Sequence, residues 1–159
     1  MFYTFFNRGR FDTWDGEMLA NKGALKVRIC WENYTVDLVV THLVGEGFGL
    51  LAQNDANELL RQSQTKELLQ FVDSSCADAD FVVLGGDFNF GRTDESYKLV
   101  REANFLYTGT EDKMRVTWGH PKNTWGDSSE HLLDYVFVRS NKDELDVQGS
   151  STIPEKDFQ

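Results

Sequence analysis

The sequence predicts an α+β (α/β) layered domain built on a mixed sheet, and three observations predict it. Two alternating apolar runs, Leu25 to Trp31 and Tyr34 to Val40, are separated only by Glu32-Asn33. A helical pattern from Asp55 to Val72 is followed by the apolar run Phe81 to Leu84. A last apolar stretch, Leu132 to Val138, follows a long polar loop. Strands outnumber helices, and a helix separates two of the strands, which suits a sheet with helices packed on it.

In chain order, Leu25, Val27, Ile29 and Trp31 alternate with Lys26, Arg28 and Cys30. Tyr34, Val36, Leu38 and Val40 alternate in the same way. These are expected to be two half-buried strands of a tight hairpin. The second strand runs into Thr41-His42-Leu43 and a glycine-rich loop, VGEGFG. Asn54 and Asp55 are candidate caps for the first helix, whose packing face is read as Ala56, Leu59, Leu60, Leu68, Phe71 and Val72. The run Phe81 to Leu84, closed by Gly85-Gly86, is expected to be a strand buried on both faces. Thr93 to Glu102 reads as a short helix that packs through Tyr97 and Val100, and a loop from about Gly109 to Glu130 carries Pro121 and two tryptophans. Residues 1–140 are read as the domain, and 141–159 as a polar tail.

The junction VVLGGDFNF concentrates chemistry where a strand stops. In an extended chain Asp87 and Asn89 point the same way and Phe88 points inward. Two glycines before them leave room for something to approach the backbone. A plain strand-to-turn junction is the alternative, because Asp and Asn both favour turns. His42 ends another strand and Asp134 opens a third, in LLDYVFV. If that third strand runs antiparallel, all four residues meet at one edge of the sheet. Imidazole, two carboxylates and an amide suit proton transfer, cation binding, imidazole orientation and phosphate contact, a set fitted to phosphate-ester hydrolysis. Each also has an ordinary reading: a surface histidine, or a strand-edge charge.

Composition sets limits. The 159 residues include 26 acidic and 16 basic side chains, for a net charge of −10. That weighs against broad nucleic-acid binding, which depends on Lys and Arg neutralising phosphates. No apolar run reaches the ~20 residues of a membrane span, and no signal-peptide pattern opens the chain. Cys30 and Cys76 lack metal-type spacing and are expected to be reduced.

THL, RQSQ, VVLGGDFNF, HPKNTW and LLDYVFV, in this order, resemble the neutral sphingomyelinase branch of the endonuclease/exonuclease/phosphatase (DNase I-like) superfamily. The similarity runs from about Phe6 to Val138. It implies a four-layer α/β/β/α sandwich with mixed sheets, present here in part, and Mg²⁺-dependent hydrolysis of sphingomyelin or a related phospholipid at a membrane surface to ceramide and phosphocholine. By this resemblance His42 matches the catalytic histidine that contacts the phosphate and protonates the leaving oxygen. Asp87 and Asn89 match the pair that aligns water, phosphate and metal, with Asp87 the metal ligand. Asp134 matches the carboxylate that supports a second histidine, the general base. Lys22 and Asn123 match substrate-binding positions. Asn21 departs from the Asp that some relatives carry beside Lys22, and His131-Leu132 replaces a basic residue before the Asp-Tyr strand. The family's upstream metal-binding glutamate and its downstream Ser-Asp-His motif have no counterpart, so the chain is expected to be an incomplete catalytic domain. No nucleic-acid partner is expected, and the cytoplasmic face of a membrane is the expected location. The alternatives are a nuclease or inositol-phosphate phosphatase of the same superfamily, and a non-catalytic lipid- or partner-binding fragment.

Overall fold

The computed structural model describes residues 1–5, 22–45, 54–109, 117–118 and 131–142. Its elements are β1 (Phe2–Thr4), β2 (Gly23–Trp31), β3 (Tyr34–His42), α1 (Asn54–Ser75), β4 (Phe81–Asp87), α2 (Glu95–Glu102), β5 (Leu106–Tyr107) and β6 (Asp134–Ser140). The strands form one mixed six-stranded sheet in the order β1-β2-β3-β4-β6-β5. Among the described residues only β3 and β4 pair in parallel, and the other pairs are antiparallel. With the two helices among the described residues this is an α+β fold, and it matches part of an α/β sandwich.

The expected hairpin is present, with Glu32 in the left-handed region at φ 53°. The parallel pairing of β3 and β4 needs a crossover, and α1 supplies it. Two short strands, β1 and β5, lie where no strand was expected. At three and two residues they are too short to carry a readable alternation.

The helices cover one face of the sheet. There Ala24, Val39, Val82, Leu84, Tyr135 and Phe137 meet Leu68, Phe71 and Val72 of α1 and Val100 of α2 in the buried core. Phe88 and Phe90 extend it past the end of β4, with Phe88 edge-on to Phe137 at 5.3 Å between ring centres. Leu59, expected on the packing face of α1, is exposed instead. The side chains of residues 54–56, with the expected caps, lie outside the described residues.

The hairpin's alternation holds, but its apolar row is not the buried one. Leu25, Val27, Ile29, Trp31, Tyr34 and Val40 face away from the helices, and Val27 and Trp31 are 50% and 71% exposed. Lys26 and Arg28 point to the helix side, where Asp37 is fully buried between them. Arg28 grips Asp37 through Nε and Nη2 at 2.7 Å each, and Lys26 approaches it at 2.8 Å. A buried carboxylate needs such pairing, because stripping it of water costs more than a single contact returns. Arg28 hydrogen bonding holds the Asp37 carboxyl below its ordinary range. The β4 strand is likewise buried on one face only: Val82 and Leu84 are covered, whereas Phe81 and Val83 are half-exposed on the open side. No helix among the described residues is long and apolar enough to cross a membrane.

Candidate functional site

The site is a row across three adjacent strands. In the parallel ladder His42 of β3 stands opposite Asp87 of β4. In the antiparallel ladder Asp87 stands opposite Asp134 of β6. The ends of two strands and the start of a third therefore lie at one edge of the sheet, on its open face. His42 Nε2 is 3.5 Å from Asp87 Oδ2, and the two side chains are 57% and 34% exposed.

Gly86 makes this approach possible. Its φ is +138°, and a Cβ there would collide with the Thr41 carbonyl oxygen. The room left by a glycine is taken by the neighbouring strand's backbone, one residue before His42. Gly85 differs, since a Cβ would meet its nearest neighbour at 3.7 Å, an ordinary contact.

Past Asp87 the chain leaves the extended conformation. Asn89 has φ 53°, its backbone N–H donates to Asp87 Oδ1 at 3.0 Å, and its side-chain Nδ2 donates to the Leu43 carbonyl at 3.0 Å. Asn is among the few side chains that tolerate this backbone region. The turn and the convergent site are thus the same feature. Phe88 points inward and is fully buried, as expected. Asn89 spends one amide hydrogen on the segment that follows His42 and has a second to offer.

Burial raises the Asp87 carboxyl above its ordinary range and the neighbouring Asp134 adds to this, against lowering by His42, the Asn89 N–H and Lys22. Two carboxylates side by side resist ionising together. Lys22, the residue before β2, is buried and within electrostatic reach of Asp87, and its carbonyl accepts from the Phe5 N–H at 3.0 Å. The other expected substrate residue, Asn123, lies outside the described residues, as do Asn21, His120, Pro121, Phe48 and the tail from 143 onward.

Sequence reasoning missed two supports of Asp134. Thr117 Oγ1 accepts from the backbone N–H groups of Leu133 and Asp134 at 2.9 and 3.1 Å. Tyr135 is buried, with its hydroxyl 3.0 Å from the carbonyls of both Phe90 and Leu132. Tyr135 alternates with Asp134 across the sheet, so the Asp-Tyr pair sets a carboxylate on the open face and an aromatic anchor beneath it. The Asp-Tyr motif is visible in the sequence but the partners of the Tyr135 hydroxyl are not, and Thr117 sits too far along the chain for any local signal.

Among the described residues no cluster of three or more His, Cys, Asp or Glu side chains is arranged to hold a metal. The donor chemistry fits a hard cation in part. Asp87 is a carboxylate under like-charge pressure from Asp134, and Mg²⁺ is commonly held by one or two carboxylates with water and phosphate oxygens completing an octahedron.

Comparison with solved structures finds the same fold in several proteins. The SmcL crystal structure matches with a TM-score of 0.68 at 21% identity, over 90% of this chain and 50% of SmcL. A β-hairpin deletion mutant of beta toxin from Staphylococcus aureus matches at 0.63 and 22%, over 85% and 50%. Sphingomyelinase C from Streptomyces griseocarneus matches at 0.57 and 21%, over 80% and 46%. The human Nocturnin catalytic domain matches at 0.56 and 24%, over 75% and 42%. No protein-family model and no curated protein gives a significant match to the sequence. The chain shares its fold with these four structures over most of its own length. The chain spans about half the length of the structures it matches.

Proposed function

We propose that this chain carries part of the active site of a Mg²⁺-dependent phosphodiesterase, acting on sphingomyelin or a related phospholipid to release ceramide and phosphocholine. The observation that carries this is the row His42, Asp87, Asp134 at one edge of the sheet. His42 is exposed enough to meet a phosphate and protonate the departing oxygen. Asp87 holds the cation, and the second amide hydrogen of Asn89 serves a phosphate oxygen that gains charge in the transition state. Asp134, anchored from behind, orients an imidazole base through its ring N–H. Lys22 and Asn123 bind the substrate. Bound Mg²⁺ supplies charge neutralisation on the phosphate and a lowered pKa for water. Beta toxin with bound magnesium ions shares this fold, with a TM-score of 0.60 at 24% identity, over 79% of this chain and 44% of that one. The substrate lies in a membrane surface, and the cytoplasmic face is the proposed location.

A nuclease is the second reading, because zebrafish (D. rerio) TDP2 complexed with a single-strand DNA product shares the fold with a TM-score of 0.53 at 21% identity, over 77% and 48%. The net charge of −10 opposes steering of a polyanion. Hydrolysis assays with Mg²⁺ on sphingomyelin vesicles, plasmid DNA and inositol polyphosphates separate the two. Release of phosphocholine alone supports the first reading; nicked plasmid without phosphocholine overturns it.

A further inference from the structure

Gln64 is an amide in an apolar stripe. It lies on the same face of α1 as Leu68, Phe71 and Val72, at spacings of four, seven and eight, and it is fully buried. An aliphatic side chain there would continue the core without burying a polar group of its own. The amide's Oε1 instead accepts the backbone N–H of Val44 at 2.9 Å. Val44 is the second residue after His42, where the chain has left β3 and its backbone has lost the regular ladder.

Three successive backbone groups of this short segment are held from three places. The Leu43 N–H donates to the Asp87 carbonyl at 3.0 Å, the Leu43 carbonyl accepts from Asn89 Nδ2 at 3.0 Å, and the Val44 N–H donates to Gln64. Two of the three partners, Asp87 and Asn89, belong to the candidate site itself. The third comes from α1, 22 residues along in the chain from His42 by position number. A buried amide that also satisfies a buried N–H removes a desolvation penalty at both atoms, and its loss leaves Val44 unpaired.

We infer that Gln64 is a positioning residue: through the Val44 N–H it fixes the segment after His42 and so sets the imidazole against Asp87. The inference rests on the phosphodiesterase reading only for its consequence in catalysis; the positioning itself is a structural claim. It gives the RQSQ stretch of α1 a physical task, since Gln64 is its last residue.

The test is heteronuclear NMR on the full chain. In the unmodified protein, a scalar coupling through the hydrogen bond should link the Val44 amide nitrogen to the Gln64 side-chain carbonyl carbon. Its absence overturns the inference without any variant needing to fold. Gln64→Leu keeps the bulk and removes the acceptor. It should speed Val44 amide exchange about tenfold, the scale of one lost hydrogen bond, and shift the His42 ring resonances and their contacts to the Asp87 side. Gln64→Glu, which retains an acceptor oxygen, should restore much of both. If Gln64→Leu lowers Tm while His42 resonances stay in place, Gln64 is a core residue only and the inference fails. Hydrolysis of bis(p-nitrophenyl) phosphate with Mg²⁺ is measured alongside, with kcat expected to fall and KM to hold. An inactive unmodified chain is what a partial active site allows, and the two NMR measurements then decide the positioning on their own.

Discussion

His42 and Asp87 are directly opposed across the parallel pair of β3 and β4, with imidazole and carboxylate 3.5 Å apart. Parallel pairing brings the ends of both strands to the same edge, which an antiparallel pair of consecutive strands would not do. In open α/β sheets that edge, beyond the carboxyl ends of parallel strands, is where ligands gather. In a preparation that hydrolyses phosphodiesters, His42→Ala should therefore lower kcat by about 10²- to 10⁴-fold with little change in KM. Its Tm should stay near that of the unmodified protein, because the side chain is more than half exposed. A near-normal kcat with a sharply lower Tm would make His42 structural.

Cation binding should be weak. Asp87 and an amide leave most of an octahedral shell to water, so calorimetric titration with Mg²⁺ should give a Kd on the order of millimolar. Asp87→Asn should remove the measurable heat. A Kd far below millimolar would require further ligands, such as Asp94 or Glu95.

The two glycines before Asp87 should behave differently. Gly86→Ala places a methyl against the Thr41 carbonyl at a backbone angle that L-residues avoid, and should cost about 2 kcal/mol or more in urea unfolding. Gly85→Ala finds ordinary contacts and should cost less than about 1 kcal/mol. Equal costs would mean that Gly86 does not govern the approach of β3 to β4.

Most of the sheet, and the meeting of His42, Asp87 and Asp134 at its edge, were legible because they rest on short-range patterns. The period-two runs of β2 and β3 gave the hairpin, and the apolar run ending in Gly-Gly-Asp gave β4. The assignment of faces was not legible in the same way. In β2 the apolar row Leu25, Val27, Ile29, Trp31 looks like the inner face, yet Lys26 and Arg28 occupy the helix side because Asp37, nine residues from Arg28, is buried there to receive them. An ion pair across a ladder leaves no local signature, and neither does the bond from Gln64 to Val44, which spans 20 residues. Asn89 was read as a site residue in an extended chain. Its left-handed backbone and its bond to Leu43 depend on a strand that the local sequence does not contain.

Acid should destabilise the end of the sheet opposite the site. Asp80 is buried and accepts from the Thr35 N–H and hydroxyl at 2.6 and 2.8 Å, with Lys142 beside it. Lys142 first, then Thr35, hold its carboxyl down to about 2. A carboxyl depressed in the folded state contributes stability that is fully present above its unfolded pKa, about 3.9. That contribution is lost as pH falls through the folded value. Tm should thus decline between pH 4 and about 2, and Asp80→Asn should flatten that part of the profile while lowering Tm at pH 7. A profile for Asp80→Asn parallel to that of the unmodified protein would show that Asp80 does not carry the effect.

The open face of the sheet should make the folded chain bind apolar probes. Leu25, Val27, Ile29, Trp31, Tyr34, Val40 and Val136 are all exposed large hydrophobic residues. Residues paired in the ladders put Leu25 beside Val40, Val27 beside Leu38 and Trp31 beside Tyr34, so the patch is continuous and not scattered. Isolated exposed apolar residues are normal on protein surfaces, whereas a contiguous patch is the feature that attracts ligands or other surfaces. Anilinonaphthalene sulfonate fluorescence should therefore rise with the native chain, at temperatures where near-ultraviolet circular dichroism still reports fixed packing. A molten state would also bind the dye, but it would lose that near-ultraviolet signal. Val27→Thr with Trp31→Ser should reduce the dye signal several-fold with little loss of Tm, since both side chains are at least half exposed and bury little area on folding. If the double substitution left the dye signal intact, the bound surface would lie elsewhere; if it unfolded the chain, this face would be part of the core.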